Sequence, residues 1–170
     1  MPTIFHAKSP AEVDAARELI REYAASLDTD LCFQGFDSEM ANLPGSYARP
    51  RGCLLLAWHD ERPAGCVAMR ELNPGVEPGV KSEVKSGARP DVAELKRLYV
   101  RPFARGFGLG RSLTERVIAE ARQAAYRSIV LDTLAEMAHA QDLYRRLGFR
   151  EIEPYYDNPI PGVRYLRLDL

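Results

Sequence analysis

Arg105-Gly106-Phe107-Gly108-Leu109-Gly110-Arg111 follows a strand-like run, Glu94 to Val100, and opens a helix whose apolar positions are Leu109, Leu113, Val117 and Ala121. Glycine tolerates positive φ and lets a ligand approach the backbone closely. A strand-to-helix turn built on it can therefore aim free N–H groups at an anion, reinforced by the positive end of the helix dipole. The turn reads as a cradle for phosphate or pyrophosphate, with a ligand-free glycine turn as the plain alternative. Two common cradles fail on spacing. The third dinucleotide glycine would have to stand where Arg111 is, and Gly110-Arg111-Ser112 lacks the P-loop lysine.

Charge around the turn is uneven. From Leu95 to Thr114 the chain carries Lys96, Arg97, Arg101, Arg105 and Arg111 and no acidic residue. The 170 residues as a whole hold 23 Lys and Arg against 24 Asp and Glu, a net charge of -1. That balance offers no general field for nucleic acid or an anionic membrane, whereas the local bias favours one polyanionic ligand.

Outward from the turn, elements alternate. Helix Leu109 to Ala125 precedes strand Ser128 to Thr133, helix Met137 to Leu147, strand Phe149 to Ile152 and, after the proline-punctuated Pro154 to Gly162, a last strand from Val163 to Leu170. Towards the N-terminus, Cys53 to Trp58 and Ala64 to Met69 flank a short polar turn as an antiparallel hairpin would. Thr3 to Ala7 forms a first strand. Ser9-Pro10-Ala11-Glu12 has the form of a capping box, opening a helix that ends near Leu27, with Val13, Ala16, Ile20, Tyr23, Ala24 and Leu27 as its apolar stripe. Asp28 to Gly52 reads as loop with a short helix near Ser38 to Asn42, and Asn73 to Pro90 as an exposed connection.

The length suits one domain, and no apolar run reaches the roughly 18 residues of a membrane span. Three cysteines, Cys32, Cys53 and Cys66, have neither disulfide-framework nor zinc spacing, which points to a reducing cytoplasm and to no metal site.

Arg-x-x-Gly-x-Gly at Arg105 to Gly110 after its strand closely resembles the acyl-coenzyme A signature of the GNAT acetyltransferase superfamily, and Leu143-Tyr144-Arg145-Arg146-Leu147-Gly148-Phe149 resembles the second motif of that family. The resemblance covers about 91–152, the cofactor half of the family fold. It implies a single α/β domain over 1–170, with a central, mostly antiparallel sheet, a splayed parallel strand pair and helices on both faces. It also implies acetyl-CoA as cofactor, with its pyrophosphate on Arg105, Gly106, Phe107, Gly108, Leu109, Gly110 and Arg111 and its pantetheine along Leu98, Tyr99 and Val100. The family strand is bulged. Here Leu95 is apolar on one phase and Leu98 and Val100 on the other, as an inserted residue would cause.

By the same resemblance Tyr144 donates a proton to the departing sulfur, and Glu94 is the best-placed carboxylate to take the amine proton, against a solvent-exposed strand-end glutamate as its plain reading. The resemblance also puts Phe33 and Gln34 of the early loop, with Tyr155 and Tyr156 after the last motif, in segments that border the acceptor cleft, with loop packing or a dimer contact as their plain reading. Met137 stands where many relatives place an asparagine for pantetheine. The expected activity is acetyl transfer from acetyl-CoA to a small-molecule amine by direct attack. Acetylation of a protein lysine or N-terminus, or an acyl-CoA sensor without chemistry, are the rivals. No nucleic acid or membrane partner is expected, and a homodimer is left open.

Overall fold

The computed structural model describes residues 2–31, 35–72 and 91–170. The segment Asn73 to Pro90 lies outside them, as do Cys32, Phe33 and Gln34. Seven strands form one sheet: β1 (Thr3–His6), β2 (Cys53–His59), β3 (Arg62–Glu71), β4 (Val92–Val100), β5 (Ser128–Thr133), β6 (Arg150–Ile152) and β7 (Arg164–Asp169), in the spatial order β1-β2-β3-β4-β5-β7-β6. Every neighbouring pair is antiparallel except β4 and β5.

Among the described residues four α-helices cover the sheet: α1 (Pro10–Ala25), α2 (Phe36–Ala41), α3 (Leu109–Gln123) and α4 (Ala138–Arg146). β2 shows how the two faces are divided. Leu54 and Leu56 join Ala16, Leu19 and Ile20 of α1 in one core, while Cys53, Leu55 and Ala57 join Leu113, Val117 and Ala121 of α3 in the other. Burial on both faces explains why β2 and β3 read as continuous apolar runs rather than as alternating ones.

The capping box forms as expected. The Ser9 hydroxyl accepts from the Glu12 N–H at 3.2 Å, and Glu12 accepts from the Ser9 N–H at 2.8 Å. α1 stops at Ala25 instead of near Leu27, because the Ser26 hydroxyl donates to the Tyr23 carbonyl at 2.6 Å and closes the last turn. Leu19, absent from the expected stripe, is fully buried.

Two features set β4 apart from the other strands. Its pairing with β5 lasts only from Val92↔Ser128 through Glu94↔Val130. Beyond that point each strand follows its antiparallel neighbour and the two part. The second feature is the bulge: Ala68 pairs with Lys96 and Cys66 with Tyr99, so Val67 stands opposite both Arg97 and Leu98. Arg97 adopts φ +62°, a left-handed conformation rare for a non-glycine residue. Its guanidinium holds that strain in place by donating to Glu39 of α2 at 2.8 and 3.3 Å, and the Tyr47 hydroxyl donates to the same carboxylate at 2.6 Å.

Candidate active site

A sheet whose neighbouring strands separate has a gap with unpaired backbone on its edges. Among the described residues the side of β4 facing β5 has no strand partner from Leu95 onward, so this edge can offer backbone to an extended ligand. The cleft between the parted strands is lined by Lys96 and Leu98 of β4, Asp132 and Thr133 of β5, Met137, Ala140 and Tyr144 around α4, and Tyr23, Leu27 and Leu31 from the α1 side.

The glycine turn stands at one end of this gap. Gly106 and Gly108 have φ +86° and +76°, and Gly108 is the N-cap of α3 with no side chain capping the helix. A Cβ added at either would meet nothing within 4 Å, so the space outside the turn is open. The first-turn N–H groups of α3 lack intrahelical acceptors, and no acidic residue competes for them. Leu109 is buried in the core, leaving only its backbone for a ligand, while Phe107 is exposed and its ring lies 4.7 Å from that of His59.

The five basic residues do not behave as their sequence suggests. Lys96 lies 3.7 Å from Glu94, Arg97 pairs with Glu39, Arg101 with Glu18 and Glu22, and Arg111 with Glu115. Lys96 and Arg97 are moreover buried on the α1 side of the sheet, where Arg97 meets α2. Four of the five are therefore paired with acids, Lys96 and Arg111 with carboxylates within four positions and Arg97 and Arg101 with ones distant in sequence. Arg105, whose Nε donates to the Val100 carbonyl at 3.0 Å, is the member without an acidic partner among the described residues. What the turn offers an anion is its backbone N–H groups and Arg105.

Tyr144 is almost fully buried, with its ring 5.6 Å from that of Phe149. Among the described residues its hydroxyl has no hydrogen-bond partner, and the side chain borders the cleft. Burial, with minor contributions from Tyr23 and Asp132, pushes its pKa up, so the phenol stays protonated at neutral pH. Thr133 turns its hydroxyl towards the Met137 sulfur at 3.9 Å.

Glu94 departs from the strand-end carboxylate of its plain reading. It is wholly buried: Oε1 accepts from Arg70 at 2.8 Å and lies 3.7 Å from Lys96, and Oε2 accepts from the Tyr155 hydroxyl at 2.7 Å. Burial alone would raise its pKa, but Lys96, Arg70 and the Tyr155 hydrogen bond outweigh it, and the net shift is downward. The group is a counter-ion with both oxygens engaged.

Its contribution to stability follows from the sign of that shift. A carboxylate with a lowered folded-state pKa stabilises the fold above its unfolded value, near 4.5, and the contribution is lost as pH falls from there through the folded value. Glu94→Gln is expected to cost about 2 kcal/mol at neutral pH, with the deficit shrinking in acid. Urea unfolding of both proteins at neutral and acid pH measures this; a pH-independent deficit would contradict the linkage.

Tyr155 and Tyr156 do not line the cleft but pack beside it, Tyr155 on Glu94 and Tyr156 on Asp132. Tyr156 donates to Asp132 Oδ2 at 2.6 Å, and Tyr165, which the sequence reading passed over, packs against both rings at centroid distances of 5.3 and 5.6 Å. Phe33 and Gln34 fall outside the described residues. Asp132 was also missed. An aspartate inside the apolar strand Ser128–Thr133, where that residue type is disfavoured, was the available signal. Cys53 and Cys66 are buried, and burial pushes both thiols up to about 12, which disfavours a thiolate route. Among the described residues no helix is long and apolar enough to cross a membrane.

Known proteins carry the same pattern. A family model described as Acetyltransferase (GNAT) family matches residues 15–149. An uncharacterized N-acetyltransferase of Schizosaccharomyces pombe is 38% identical over 164 residues, 96% of this chain and 91% of that protein. An N-acetylaspartate synthetase of Danio rerio is 30% identical over 127 residues, 74% of this chain and 40% of that protein. The structure of an acetyltransferase from Salmonella typhimurium with its cofactor acetyl-CoA superposes with a TM-score of 0.68 over 99% of this chain and 93% of that one, at 19% identity.

Proposed function

Because the chain belongs to the GNAT acetyltransferase family, we propose that it moves the acetyl group of acetyl-CoA to the primary amine of a small molecule by direct attack, within one complex of both substrates. The observation that supports this reading is the cleft between the parted β4 and β5, lined by Asp132 and Tyr144, with Tyr156, itself packed on Tyr155 and Tyr165, bonded to Asp132 beside it.

The residues present fit the donor. An uncapped helix N-terminus with two left-handed glycines suits a pyrophosphate, Arg105 supplies a cation, and the free edge of β4 at Leu98, Tyr99 and Val100 can pair with the amides of pantetheine. Acetyl-CoA supplies an activated thioester. The chain's own residues hold it, shut out bulk water and manage protons. A backbone N–H next to the bulge can stabilise charge on the carbonyl oxygen, and the Tyr144 hydroxyl can protonate the sulfur.

For the acceptor, Tyr155, Tyr156 and Tyr165 pack into one aromatic wall beside Asp132 and Glu94. A closed aromatic wall around buried carboxylates suits a compact amine better than a folded protein surface. The similarity to an enzyme named for a small amino-acid product supports the same class. A panel of small amines, polyamines and peptides with acetyl-CoA and a thiol readout tests the reading. Thiol release with compact primary amines is the expected result. Release with peptides alone would favour protein acetylation, and coenzyme A binding without release on any acceptor would favour a sensor.

A further inference from the structure

In the proposed acetyl transfer, on which this inference rests, the attacking nitrogen must shed a proton, and Glu94 is badly placed to take it. Both of its oxygens are occupied, by Arg70 and Lys96 on one side and by the Tyr155 hydroxyl on the other, and it does not border the cleft. A second carboxylate projects from the same face of the sheet, one strand over, and does border it. We propose that Asp132 on β5 is the carboxylate that receives the acceptor amine in the cleft and takes the proton its nitrogen releases as the amide forms.

Three observations carry this. Asp132 and Tyr144 line one cleft, Asp132 from β5 and Tyr144 from α4, so a base and an acid meet where the strands part. Tyr156 donates to Oδ2 of Asp132 at 2.6 Å, while Oδ1 has no side-chain partner among the described residues. The Tyr156 hydroxyl in turn accepts from Asn158 at 2.8 Å, which orients its own proton towards the carboxylate.

The groups that face Asp132 are Lys96 and Glu94 from β4, Tyr155 and Tyr156 from the loop after β6, Tyr165 from β7, Tyr144 from α4 and Tyr23 from α1. Burial raises the Asp132 carboxyl, Lys96 and Tyr156 pull it down, Glu94 pushes it up, and the balance lies above the ordinary value. Glu94 is shifted the opposite way. Of the two carboxylates, the one on the cleft is therefore the stronger proton acceptor.

The step balances without a further reactant. As the neutral amine attacks, the N–C bond forms and the nitrogen becomes cationic and strongly acidic. Asp132 takes one of its protons, the C–S bond breaks, and the Tyr144 hydroxyl protonates the departing sulfur. Water returns the proton from Asp132 to the Tyr144 phenolate.

The test compares Asp132→Asn, Asp132→Glu, Tyr156→Phe and Glu94→Gln with the unaltered enzyme, reading thiol release against pH and coenzyme A binding by calorimetry. Asp132→Asn is expected to lower kcat/KM for the amine about a hundredfold, with coenzyme A affinity within about twofold and the acid limb of the rate profile gone. Asp132→Glu should restore part of the rate. Tyr156→Phe leaves the carboxylate in place but removes its hydrogen bond, so the acid limb should move to higher pH. This holds the assignment open to refutation even if Asp132→Asn fails to fold. An active enzyme whose acid limb survives Asp132→Asn, ignores Tyr156→Phe or disappears in Glu94→Gln would overturn the assignment alone. An unaltered enzyme silent on every amine would instead overturn acetyl transfer, and this step with it.

Discussion

Tyr144→Phe should lower kcat by about a hundred- to a thousandfold while leaving coenzyme A affinity within about twofold. The change removes one oxygen. The ring stays packed against Phe149 in the core below α4, and since the hydroxyl has no hydrogen-bond partner among the described residues, no buried donor or acceptor is orphaned. Stability should change little, which separates this variant from a folding defect. What disappears is the proton the sulfur needs as it leaves, and a phenol kept neutral by burial is suited to give it. The checks are steady-state thiol release and calorimetric binding on the same preparation. An unchanged kcat removes Tyr144 from the reaction, and a parallel fall in affinity makes it a binding residue instead.

Gly108→Val should weaken coenzyme A binding by about thirty- to a hundredfold. Gly108 sits at φ +76°, and a β-branched residue there costs about 2–3 kcal/mol of backbone strain. The chain can relieve that strain only by rotating the peptide units that present the N–H groups of the turn. Nothing lies within 4 Å of the added Cβ, so the loss would not come from an internal clash. Undiminished affinity in Gly108→Val would sink the phosphate cradle.

The sequence disclosed features that are local along the chain. The glycine turn, the capping box at Ser9 and the slipped apolar phase of β4 each depend on residues within a few positions of one another, and each is found where its spacing indicated. The charge pairing of Arg97 and Arg101 was hidden for the complementary reason. Glu39, Glu18 and Glu22, which neutralise Arg97 and Arg101, lie 58, 83 and 79 positions away, and no local reading of Leu95 to Thr114 can include them. Glu94 is similar: its burial is set by Arg70 on β3 and Tyr155 beyond β6, partners that only the sheet brings together. Asp132 lay in plain view at the end of the apolar run Ile129 to Leu131, but that it shares a cleft with Tyr144 is set by the fold.

A continuous sheet is a wall, since each strand closes the space beside the next with hydrogen bonds. Ending the β4 and β5 ladder at Glu94 and Val130 makes a doorway in that wall. Two reactants can then arrive from opposite sides and meet inside it without competing for one entrance. Their products can withdraw the way each came, so neither departure has to wait for the other.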